Sequence, residues 1–121
     1  MKYFTPKEAN QTLPLVKRIV KDIQDTGHQF REMAEQLGEN AGNDPEVKKL
    51  MDELHDLFEE LEQIGCSYKD WSFSKGLVDF PAVIDGEKVE LCWRSDELEI
   101  AHYHGPEGYA GRKPIPEEYL E

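Results

Sequence analysis

The feature that most constrains this chain is a change of hydrophobic period close to Gly65. Before it, apolar residues recur three and four positions apart in turn: Val16, Ile19, Ile23, Thr26, Phe30, Met33, Leu37, and again Val47, Leu50, Leu54, Leu57, Leu61, Ile64. That is the seam of a helix facing another helix. From Gly76 to His104 the alternation is every second residue, the period of a strand with one buried face. Helices followed by strands read as α+β. The seams flank the polar spacer Gly38-Glu39-Asn40-Ala41-Gly42-Asn43-Asp44, so residues 1–64 form a long antiparallel helical hairpin. It packs on a small antiparallel β-meander of three to four strands (65–104), followed by a Gly/Pro-rich C-terminal loop (105–121). At 121 residues a single domain is expected.

Local signals fix the helix ends. Thr5-Pro6-Lys7-Glu8 is a capping box with proline at the first helical position, and Asp44-Pro45 starts the second helix. Pro14 predicts an interruption near Thr12. Each helix carries a second apolar column, small on the first (Val20, Gly27, Ala34) and large on the second (Met51, Phe58). Two columns exceed what one partner helix covers. The stretch from Pro14 to Leu37 is about 36 Å long, close to the diameter of a compact domain of this size. Self-association through a coiled-coil-like hairpin, as a homodimer or higher homo-oligomer, is therefore expected.

Asp85-Gly86 is a strong two-residue hairpin signal, and Ser95-Asp96 reads as a second one. With both as two-residue turns, Val78, Phe80, Ala82, Val89, Leu91, Trp93, Leu98 and Ile100 share one apolar face. Asp79, Cys92 and Glu99 then form one row across the other face, flanked by Leu77, Arg94 and Glu97. Opposed side chains in a sheet stand about 5 Å apart at Cβ, so two carboxylates and a thiol could meet at a metal or serve acid–base chemistry. The alternative is a solvated face with a small apolar cysteine. His102 falls on the inner face, at the edge of the apolar layer, and Glu87 lies opposite His104. His102 and His104 form a short His-x-His chelate candidate, so His102, His104, Glu87, Asp79 and Cys92 are the candidate metal ligands. Residues 66–73 are a candidate edge strand. In the tail, Arg112 follows two glycines and is a candidate anion contact with His104, or a salt bridge to one of the many acids. Residues 116–121 read as a solvated terminus.

Composition narrows the partners. There are 14 Lys+Arg against 26 Asp+Glu, a net charge of −12. Nucleic acid is disfavoured, since its affinity rests on Lys and Arg displacing counterions, and so is an anionic membrane surface. Residues 1–43 are neutral, and the excess acid is divided between 44–64 and 65–121, where a cation would be drawn. No apolar run approaches the about 20 residues of a membrane span. Met1-Lys2-Tyr3-Phe4-Thr5-Pro6 has no signal-peptide core, and cytoplasmic localisation is expected. Cys66 and Cys92 are too few and too far apart for a disulfide scaffold or a CxxC zinc knuckle.

Several stretches carry a resemblance: Gly76-Leu77-Val78-Asp79-Phe80-Pro81, Leu91-Cys92-Trp93-Arg94, Glu97, His104 and Gly108-Tyr109-Ala110-Gly111-Arg112. With Phe4-Thr5, Glu8-Ala9-Asn10, Leu13-Pro14, Ile64-Gly65 and Lys69-Asp70, nearly the whole chain resembles the bacterial family called domain of unknown function 2203. The family is uncharacterised, so the resemblance implies no established activity, cofactor or partner. Position by position it singles out Asp79, Cys92, Trp93, Arg94, Glu97, His104, Gly111 and Arg112. His102 departs from the family's aromatic residues before the motif histidine, and Glu99 falls outside its pattern. Asp79, Cys92 and His104 are thus the residues the resemblance favours.

The favoured functional expectation is a non-catalytic binding or assembly module that self-associates through its hairpin. The alternative is a small metal-binding protein or enzyme using Asp79, Cys92, Glu97 or Glu99, His104 and Arg112 on the sheet. The sequence establishes no cofactor. A divalent metal or a small ligand is what that donor set would take.

Overall fold

The computed structural model describes residues 2–120. Met1 and Glu121, the outer residues of the two terminal segments considered above, lie outside the described residues. Helix α1 runs Pro6–Leu37, a 3₁₀ segment spans Gly38–Asn43, and helix α2 runs Pro45–Ile64. The predicted caps are present: Thr5 and Glu8 exchange reciprocal hydrogen bonds of 3.1 Å, and the Asp44 side chain accepts from Glu46 and Val47 N–H groups. The chain leaves α2 at Gly65 with φ 113, the left-handed conformation in which glycine has no steric penalty.

The expected break near Thr12 does not occur, because α1 continues through Pro14. Proline there removes one hydrogen bond. Buried Leu13 and Val16 on either side of it lock this turn into the core, and the Thr12 hydroxyl takes the Ala9 carbonyl at 2.8 Å.

Five strands, not three to four, form an antiparallel sheet in chain order: β1 (Ser67–Tyr68), β2 (Leu77–Ile84), β3 (Glu87–Arg94), β4 (His102–His104) and β5 (Lys113–Pro114). The edge strand expected over 66–73 is only Ser67–Tyr68. The β2–β3 register agrees with the sequence pairing throughout, from Leu77 opposite Arg94 to Ile84 opposite Glu87. Its turn has positive φ at Asp85 (52) and Gly86 (79), the mirror-type conformation whose twist suits a hairpin. The inner face (Val78, Phe80, Ala82, Val89, Leu91, Trp93) packs with Val16, Val20, Ile23 and Leu61 of the hairpin in one core cluster.

The second turn is different. Glu97 N–H does bond to the Arg94 carbonyl at 2.9 Å, yet the chain rejoins the sheet only at His102, with Cys92 opposite His102 instead of Glu99. Side chains of α1 supply the reason. Asn10 bonds both the N–H and the carbonyl of Ile100 (2.7 and 3.1 Å), and Lys17 Nζ takes the Leu98 carbonyl at 3.0 Å. These satisfy backbone groups that a tight ladder would have paired. Ile100 stays buried, while Leu98, expected inside, is 90% exposed. A three-residue shift is odd, so it exchanges the faces of the strand. His102 and His104 therefore lie on the outer face, and Glu90 rather than Glu87 stands opposite His104.

The loop between β1 and β2 covers the small column of α1. Phe73 lies against Gly27, where an added Cβ would come within 2.3 Å of the ring. His28 Nε2 contacts the Phe73 carbonyl at 2.9 Å, and Arg31 donates to the Ser72 carbonyl at 2.7 Å. Asp70 accepts hydrogen bonds from Ser72, Ser74 and Lys75 at the centre of the loop. Phe58 of the large column packs on Tyr68 and Trp71. The C-terminal segment is not a free tail either. Ile115 N–H bonds to Ala101, helix α3 spans Glu117–Leu120, and the Tyr119 hydroxyl donates to Asp85 at 2.7 Å.

Candidate functional site

The outer face of the sheet is organised in rows. Ser67, Asp79, Cys92 and His102 form one, and Pro81, Glu90 and His104 the next. His104 sits diagonally from Cys92 on the neighbouring strand, a separation that a long side chain spans. Its Nε2 reaches across β3 to both oxygens of Asp79, at 3.1 Å each. Its Nδ1 is 2.9 Å from the Gly105 carbonyl. A carbonyl only accepts, so Nδ1 carries a proton and Nε2 is the atom aimed inward. An Asp79 carboxylate oxygen, Cys92 Sγ and His104 Nε2 all lie within 4.8 Å of one another. All three residues are buried, with Asp79 6% and His104 5% exposed.

Electrostatics keep these groups in particular states. Burial, then the negative charge of Asp79, pushes the Cys92 thiol up to about 12, so it is a poor nucleophile unless a cation intervenes. For His104, burial acts to lower the pKa, but the Gly105 carbonyl, Asp79 and Glu90 outweigh it and the net shift is upward. Glu90 is raised, by burial and then by Asp79.

The other candidates fall into a supporting network or outside the site. Arg112 Nη2 binds both oxygens of Glu97 (2.7 and 2.9 Å) and the backbone carbonyl of Cys92 (3.2 Å). It is thus a salt-bridge partner that also bonds β3, while His104 turns to Asp79. Arg112 Nε is buried without a partner. His102 Nδ1 lies 3.3 Å from Glu97 outside hydrogen-bond geometry, and turns toward that network rather than toward the cluster. Arg94 pairs with Asp96 and donates to the Tyr109 hydroxyl at 2.7 Å. Glu99 is exposed in the 95–101 loop, and Glu87 is exposed beside the β2–β3 turn. Neither approaches the cluster: the shifted register leaves Glu99 outside the β3–β4 ladder and moves His104 from Glu87 to Glu90.

A cleft of about 320 Å³ opens beside the cluster, lined by Lys69, Leu77, Asp79, Cys92, His104, Gly108 and Tyr109. Sequence reasoning assigned no role to Lys69 or Tyr109. Lys69 lies two residues beyond Ser67, which pairs with Asp79, so a recognised β1 register would have placed it on this face. Tyr109 sits inside the Gly-Tyr-Ala-Gly-Arg stretch, in which the family resemblance singles out Gly111 and Arg112.

An α+β fold with a buried Asp–Cys–His cluster on the outer face of a five-stranded sheet is the class of protein this geometry defines. Residues 2–115 match the family model described as an uncharacterised conserved protein (DUF2203), and the chain belongs to that family. Neither a curated protein nor a solved structure matches it. Among the described residues, no helix is long and apolar enough to cross a membrane.

Proposed function

We propose that this protein binds one divalent transition-metal ion, of the zinc class, through Asp79, Cys92 and His104. The observation that carries the reading is the commitment of His104 Nδ1 to the Gly105 carbonyl, which directs Nε2 at the Asp79 carboxylate and the Cys92 sulfur. A backbone carbonyl on the far nitrogen is the usual device that orients a ligating histidine. Mixed nitrogen, sulfur and oxygen donors suit zinc. Three protein ligands beside a cleft leave a fourth position open to water or a ligand. Coordination deprotonates a thiol outright, so the cation would release the proton that burial otherwise holds on Cys92.

The test is cobalt or zinc titration of untagged, chelator-stripped protein. One equivalent is expected, with a thiolate-to-cobalt charge-transfer band that disappears in Cys92→Ser. Uptake below stoichiometry, or full uptake by a Cys92→Ser/His104→Ala variant that remains folded, overturns the reading.

A second reading, self-association through the hairpin, rests on Met51 and Leu15, which are 43% and 45% exposed on α2 and α1. Much of the wide seam that motivated it is covered by Phe73 and Trp71 of the same chain. Light scattering decides it: a monomer at high micromolar concentration removes this reading.

A further inference from the structure

We propose that the cleft beside the cluster takes a small molecule by an oxyanion headgroup, carboxylate or phosphate, held between the bound metal and Lys69 with Tyr109 as a second donor. This rests on the metal reading above for one of its three contacts. The other two come from this chain alone.

Lys69 N–H bonds to the Leu77 carbonyl at 2.8 Å, which extends the β1–β2 ladder. Lys69, Leu77 and Arg94 thereby form the row next to the metal row, on the same face. The protein as a whole carries −12, yet this corner gathers cations. Arg112 lies 5.2 Å and Lys75 5.6 Å from the centre of the Tyr109 ring, and Arg94 donates to its hydroxyl. Arg94 and Arg112 are matched by Asp96 and Glu97. Among the described residues, Lys69 and Lys75 have no carboxylate within ion-pair distance. The nearby Asp70 carboxylate is consumed by Ser72, Ser74 and the Lys75 N–H. Glu90, which lines a second cleft with His104, feels the charge of Lys69 but forms no ion pair with it.

A divalent ion with two anionic ligands, Asp79 and the Cys92 thiolate, makes a neutral centre that does not compete for Lys69, whose ammonium forms no ion pair among the described residues. Arginine is a donor only. The Tyr109 oxygen therefore accepts from Arg94, and its own proton is left for an acceptor in the cleft it lines. Leu77 provides an apolar wall. A cleft of about 320 Å³ sits at the small end of ligand pockets, which limits the occupant to a few carbons behind the headgroup.

The experiment uses cobalt-loaded full-length protein freed of excess metal, titrated with inorganic phosphate and, separately, with acetate. Anion binding is read from the cobalt visible bands and by calorimetry. Saturable binding of at least one anion is expected. Lys69→Ala should weaken it about tenfold and Tyr109→Phe by a smaller factor, with metal stoichiometry unchanged in both. Preference for phosphate assigns a phosphate headgroup, and preference for acetate a carboxylate. If cobalt is taken up but neither anion shifts its bands, or Lys69→Ala binds as wild type, the anion proposal falls while the metal site stands. If cobalt is not taken up, both fall.

Discussion

Gly27→Ala offers a sharp test of how the loop carrying Lys69 and Lys75 is held. In an isolated helix this change would stabilise by about 1 kcal/mol, since glycine has the larger backbone entropy to lose. Here the new methyl would lie 2.3, 2.4 and 2.8 Å from three ring atoms of Phe73, about 1 Å inside van der Waals contact. The ring has little room to yield. Phe73 sits at φ 61, its N–H bonds to Asp70 and its carbonyl contacts His28, and it stacks on Tyr68 at 6.2 Å. Overpacking costs about 1–3 kcal/mol, and contacts this short against a pinned ring put it in the upper half of that range, about 2–3 kcal/mol. With the helix gain subtracted, the net loss should be about 1–2 kcal/mol. For a chain of this length that is a fall in Tm of roughly 4–8 °C. In a Phe73→Ala background the obstacle is gone and the same Gly27→Ala change should stabilise. Urea denaturation of the four proteins in the cycle measures the sign directly. A stabilising Gly27→Ala in the wild type, or a destabilisation that persists without Phe73, would refute the argument.

Three further outcomes are expected. Burial acts to raise the Asp70 carboxyl, but the Ser72 hydroxyl and the Lys75, Ser72 and Ser74 donors hold it below its ordinary value of 3.8. Its contribution is therefore complete above that value and lost as pH falls through the lower folded one. Asp70→Asn should flatten the decline in urea midpoint between neutral and acid pH, and an unchanged slope counts against the assignment. Glu97→Gln should cost about 2–3 kcal/mol by leaving Arg112 buried without its counter-charge, and Glu97→Gln/Arg112→Met should recover part of it in chemical denaturation. In metal-free protein Cys66 and Cys92, both pushed up to about 12, should react with a disulfide reagent about fiftyfold more slowly than an exposed thiol, since the smaller thiolate fraction is partly offset by the greater nucleophilicity of a more basic thiolate. Rapid labelling of either in the folded state would show that it is more accessible than its burial implies.

Much of this molecule was legible in advance because its signals are local. The capping box at Thr5, the Asp44-Pro45 start, both helical seams and the Asp85-Gly86 turn depend on residues a few positions apart. With them came the whole β2–β3 register, and so the pairing of Asp79 with Cys92. The second turn was not legible. Its outcome depends on Asn10 reaching Ile100 across 90 residues and on Lys17 reaching Leu98 across 81. No alternation pattern within the strand encodes that competition.

The consequence for the site is direct. Sequence alone determined an α+β chain, the Asp79–Cys92 row, and, through its resemblance, His104 as their companion. Only the tertiary structure decided that His104 stands on the same face as that row, that Glu99 does not, and that Lys69 and Tyr109 wall the cleft. The physical reason is parity. A strand's faces alternate residue by residue, so an odd shift imposed by the helix inverted the face of every side chain in β4, and that inversion assembled the Asp–Cys–His cluster.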